Sequence, residues 1–156
     1  MVWSCLVSIL PGMAQTEKLT DYVNPFVGTD GYGNVYPGAQ IPFGGIQISP
    51  DTDSRFYDAA SGYKYNHLTL MGFSLTHLSG TGIPDLGDFL FIPGTGEMKL
   101  EPGTHEDPDQ GYRSRYSHDK EWASPNYYAV ELADYGVKAE MTSGVRSGMF
   151  RFTYPE

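Results

Sequence analysis

The sequence has a single cysteine, Cys5, which excludes an internal disulfide and a cysteine-based zinc site. Positive charge is scarce: 10 Lys and Arg stand against 19 Asp and Glu, a formal net charge of −9. That balance leaves no electrostatic footprint for nucleic acid or for an anionic membrane surface. Beyond the N-terminus no apolar run approaches the ~20 residues that a membrane-spanning helix needs. The four histidines, His67, His77, His105 and His118, lack the His-x-x-x-His spacing that would turn two of them onto one metal. The glycine-rich stretch around Gly31-Tyr32-Gly33 has no GKS or GKT end, which excludes a phosphate loop, and no nucleophile elbow is present.

What is present is aromatic and punctuated. Twelve Tyr, eight Phe, 19 Gly and 11 Pro are spread along 156 residues, a mixture that favours short strands joined by tight turns within about one domain. Residues 2–10 are largely apolar and Gly12-Met13-Ala14 supplies small residues behind them, so residues 1–14 read as a secretory signal without its basic start, or else as a strand or frayed end. The signal reading makes the protein exported, periplasmic or extracellular.

Ile46 and Ile48 alternate with Gln47 and Ser49, predicting a half-buried strand that Pro50-Asp51 ends. Leu68, Leu70, Phe73 and Leu75 surround Gly72 in the manner of a bent strand, and residues 89–92 read as a buried one. Residues 111–117 alternate at period two. Clearest is the C-terminal meander. Tyr128, Val130 and Leu132 share one face, followed by Val137, Ala139 and Met141, then Phe150, Phe152 and Tyr154, with turns at 134–136 and 143–144. The fold class is all-β, an antiparallel β-sandwich.

Chemistry is harder to place. Asp51-Thr52-Asp53 resembles the start of a calcium loop but lacks its later ligands, which leaves a turn cap. Asp85 and Asp88 read as a carboxylate pair or as turn and strand-edge groups, and residues 105–109 as a solvated acidic loop. His77 stands among Ser74, Thr76, Ser79 and Thr81, which suits either a polyhydroxylated ligand or a hydrogen-bonded structural histidine. Tyr32 and Tyr36, interleaved with glycines, suit a loop whose rings pack on the C–H faces of a sugar.

The motifs "DYVNPFVGTDGYGNVYPGAQIPFGGIQISPDT", "SGYKY", "GFSLTHLSGTGIPDLGDFLFIP" and "GYRSRYSHDKEWASPNYYAVELADYGVKAEMTSGVRSGMFRFTYP" together resemble the N-terminal domain of glycoside hydrolase family 92. The resemblance covers residues 21–156. It implies an exo-acting, calcium-dependent α-mannosidase, an α-1,2-mannosidase by expectation, that inverts the anomeric centre of terminal mannose on N-glycans or mannan. It further implies that this sandwich packs on a large helical domain of the same polypeptide, absent from this sequence. That domain would hold the catalytic carboxylates and most calcium ligands, so the chain reads as an incomplete sandwich, inactive alone. On this resemblance the substrate-binding candidates are Tyr57, Asp58, His77, Ser79 and Thr81, with no catalytic or metal-binding residue in the chain. Tyr57 replaces a common tryptophan, Leu75 a histidine and Ala60 a cysteine, while Tyr32 and Asn34 lie in a loop that often carries histidines. Two rival readings are a free-standing carbohydrate-binding module and a purely structural brace.

Overall fold

The computed structural model describes residues 17–53, 57–80, 83 and 87–156. The expected signal at residues 1–14, Thr81 and Asp85 lie outside these. Among the described residues nine short strands form three antiparallel sheets. The first sheet orders β1 (Ala39–Gln40), β2 (Gln47–Asp51) and β4 (Gly72–Ser74), and the second pairs β3 (Thr69–Leu70) with β5 (Ser114–Arg115). The third is a meander of β6 (Glu121–Ser124), β7 (Tyr127–Leu132), β8 (Val137–Ser143) and β9 (Gly148–Thr153).

Alternation decides the meander. Tyr128, Val130, Leu132, Val137, Ala139 and Met141 are all buried and pack with Ala39, Ile48, Tyr63, Leu70, Phe73 and Tyr116 in one apolar core. The registers Tyr128↔Met141 and Ala139↔Phe152 keep the apolar set on one face across three strands. Asn126 makes the β6–β7 turn with φ +61 and ties it to Ser143, its Nδ2 donating to the Ser143 carbonyl at 2.9 Å. These facing layers form the expected antiparallel β-sandwich.

Two expectations need correction, and one strand was missed. Pro50 and Asp51 do not end β2; both belong to it. Pro50 sits opposite Phe73, whose own N–H and carbonyl exchange bonds with Phe91, so no donor is missed there. Residues 89–92 are not a buried strand. Phe91 makes one bridge to Phe73, and Phe89, Leu90 and Phe91 are exposed. β6 was not signalled at all, because its inward residue is Glu121, a buried acid where the pattern expects an apolar residue.

Candidate functional site

The hydroxyl-rich stretch begins in the core. Gly72 lets β4 run close to Phe91 and Leu90, where a side chain would strike the Phe91 carbonyl. Ser74 is fully buried, and its hydroxyl donates to the Asp51 Oδ2. His77 is buried as well. Its Nδ1 faces the Gln47 carbonyl at 2.7 Å, and its Nε2 faces the Asp51 Oδ1 and the Ser74 hydroxyl, both at 3.0 Å. Two acceptors on opposite sides of one ring suit the doubly protonated imidazolium. Burial alone would lower its pKa, but the charge and hydrogen bond of Asp51, with the Gln47 carbonyl, outweigh that and raise it.

Ser74, His77 and Asp51 do not form a hydrolytic triad. Serine and aspartate meet the same ring nitrogen, the other is turned to backbone, and all three side chains lie below the surface. The cluster instead pins the base of the loop. Gly62 completes it, since a side chain at that position would collide with the Asp51 carboxylate and press on the His77 ring.

The surface above this anchor is shared by two further segments. Tyr36 leans on the His77 ring at 5.0 Å, and the Gly80 N–H donates to the Asn34 carbonyl at 2.7 Å. Asn34 adopts φ +49, and its buried Oδ1 has no hydrogen-bond partner among the described residues. Lys64 reaches back to the Gly31 carbonyl at 3.1 Å. Tyr32 and Tyr57 bring their rings to 6.3 Å while remaining 81% and 63% exposed. Of the predicted site residues, Tyr57 and Ser79 are therefore at the surface, and His77 is beneath it. Asp58 lies in the short 3-10 turn Tyr57–Ala59.

Two buried polar clusters carried no such signal. Asp51, Thr52 and Asp53 are buried rather than capping an exposed turn, and the 105–109 loop is anchored rather than merely solvated. The His105 Nε2 lies 3.3 Å from the Asp53 carboxylate and its Nδ1 2.9 Å from the Thr69 hydroxyl, while its ring packs on His67 at 3.9 Å. The Arg113 guanidinium donates to the Thr52 carbonyl at 2.6 Å. In the second cluster Glu121 accepts from the Tyr63 hydroxyl at 3.0 Å and from Tyr128, and meets the His118 Nδ1 at 2.6 Å. Burial first, then the neighbouring carboxylate and phenols, pushes the Tyr63 and Tyr128 phenols far above their usual range. Among the described residues no group of three or more His, Cys, Asp or Glu could hold a metal ion.

Comparison with known proteins places the chain and its fold. The family described as the glycosyl hydrolase family 92 N-terminal domain matches residues 22–156. An uncharacterized secreted glycosidase of Arthroderma benhamiae is 30% identical over 136 residues, covering 86% of this chain and 17% of that protein. The solved family 92 glycosyl hydrolase ccman5 superposes with a TM-score of 0.72 at 32% identity, over 87% of this chain and 19% of that one. A family 92 inverting mannosidase of Bacteroides thetaiotaomicron shares the fold, with a TM-score of 0.62 at 24% identity over 90% of this chain and 19% of its own. The chain thus spans less than a fifth of the length of each of these proteins.

Proposed function

The chain belongs to glycosyl hydrolase family 92 as an N-terminal domain, and on that premise we propose that it supplies one wall of the substrate site of an exported α-mannosidase. The substrate class is terminal α-linked mannose on N-glycans or mannan, with the α-1,2 linkage first. The observation that carries this reading is the Tyr32–Tyr57 ring pair, left exposed at 6.3 Å beside a loop held down by His77. Exposed rings next to hydroxyl groups suit a sugar: the rings take its C–H faces, and Ser79 offers a donor and an acceptor to its hydroxyls, while Thr81, outside the described residues, is a further candidate from the sequence alone.

Inverting hydrolysis needs one carboxylic acid to protonate the leaving oxygen and a second carboxylate, far enough away to admit water, to activate it. The buried carboxylates among the described residues are engaged: Asp51 by Ser74 and His77, Asp53 by His105, Glu121 by two tyrosines and His118, and Glu140 by Arg151 and Tyr127. We therefore assign the acid and the base to the remainder of a longer polypeptide, and to this chain the binding and orientation of the sugar. The described residues hold no cluster that fits the calcium which the resemblance implies. Its ligands are assigned to the same remainder. Export follows the reading of residues 1–14 and agrees with the secreted relative's name.

The test is release of mannose from an α-1,2-linked mannobiose. The polypeptide that carries this domain together with the remainder found in its relatives is expected to release it, and the 156-residue chain alone is not. Release by the chain alone, or none by the longer polypeptide on any α-mannoside, contradicts the proposal.

A further inference from the structure

The turn Ile41-Pro42-Phe43-Gly44 joins β1 to β2, closed by the Gly44 N–H donating to the Ile41 carbonyl at 3.1 Å. Proline at its second position and a positive φ at its third are the marks of a type II turn, whose third position belongs to glycine or asparagine. Here that position is Phe43, with φ +59. Gly44 and Gly45 follow directly, so a residue suited to the conformation is one step away and is not used. Nor does the ring gain anything within the domain, being fully exposed. A strained backbone and a solvated aromatic ring at one residue are two costs without a local return.

The neighbourhood repeats the pattern. The Gly45 N–H donates to the Val145 carbonyl at 2.8 Å, which sets this turn beside the β8–β9 hairpin tip. Val145 is 59% exposed and Met149, at the start of β9, 68%. Arg146 is exposed between them, with no ion-pair or hydrogen-bond partner among the described residues, in a chain of net charge −9. Two adjoining hairpin tips, one from each layer, thus carry exposed apolar side chains around an unneutralised cation.

We infer that these tips form an interdomain anchor, in which Phe43 inserts into an apolar, acid-rimmed pocket on the remainder of the enzyme polypeptide. This rests on the reading that the domain works inside a longer enzyme, and is independent of the sugar it cleaves. The chain spans 17% and 19% of the length of its relatives, so most of such an enzyme is available as the occupant. A second copy is disfavoured because the net charge of −9 on each opposes self-association.

Oxidative footprinting of the Phe43 ring, in the 156-residue chain and in the longer polypeptide, tests this without reference to activity. The ring should label readily in the chain alone and lose its labelling in the longer polypeptide. Phe43→Gly separates anchoring from local structure, because glycine accepts the turn's φ. It should leave the melting temperature of the chain alone unchanged or raised, and should lower that of the longer polypeptide. Equal labelling in both forms, or a variant that melts no lower than wild type in both, overturns the anchor. So does protection that grows with the concentration of the chain alone, which would make a second copy the occupant. Loss of mannose release with Phe43 still protected would instead count against the proposed function.

Discussion

His77 has an acceptor on each side of its ring, and the resulting proton affinity links the loop to pH. Its folded pKa lies above the unfolded one, so the charged ring's stabilisation is complete below about pH 6.5, the unfolded value. It is lost as pH rises through the raised folded value. Urea unfolding of the chain should therefore show stability declining on the alkaline side of that point, and His77→Ala should remove this component of the slope. The same substitution takes from the buried Asp51 side chain its ring partner and is expected to cost about 3–5 kcal/mol near neutral pH. Glu121 carries a parallel expectation. Glu121→Gln keeps the volume but turns an amide donor toward hydroxyl donors, and should cost about 1–3 kcal/mol by urea unfolding, against about 1 kcal/mol for Tyr63→Phe. An unchanged midpoint for Glu121→Gln would mean that the tyrosines find other partners.

At the scale of elements, two glycines set how closely neighbouring strands approach. A side chain on Gly38 would land on the backbone of β2 at the Ile48 carbonyl, which cannot move without breaking pairing with β1. At Gly148 it would meet the flexible end of the Ile48 side chain instead. Gly38→Ala is expected at or beyond the top of the ~1–3 kcal/mol range for overpacking, and Gly148→Ala near its bottom. Thermal unfolding of the two variants orders them, and equal losses would contradict the packing described. The same contrast explains what was legible in the sequence. The β7–β9 meander could be read because Tyr128, Val130, Leu132 and their partners repeat at the period of a pleated strand. Period two says nothing of which acids point inward, so Glu121 hid β6 and Asp53 passed for part of a turn. The run 89–92 misled because hydrophobicity reports what a strand could bury, while Phe89 and Leu90 lie outside the sheets. Of the candidate site, His77 stood out by the hydroxyl residues around it in the sequence, whereas Tyr57 came only from the family resemblance. That His77 acts from beneath, through Asp51 and Gln47, depends on contacts 26 and 30 residues away in sequence, which no local pattern encodes.

For the molecule as a whole, the structure divides labour by depth. Buried pairs of acid with histidine fix the loops, and the groups left at the surface above them are rings and hydroxyls. On the proposed function this surface binds sugar, and its residues should be separable from those that hold the fold. Tyr57→Ala, made at an exposed ring, should move stability by no more than about 0.5 kcal/mol. The most direct measurement is kcat/KM for mannose release by the longer polypeptide with Tyr57→Ala, alongside the melting temperature of the same variant. The account predicts a fall of about tenfold or more, as for loss of an aromatic hot spot, at an unchanged melting temperature. Wild-type kcat/KM from the well-folded variant would contradict the claim that this domain forms a wall of the substrate site.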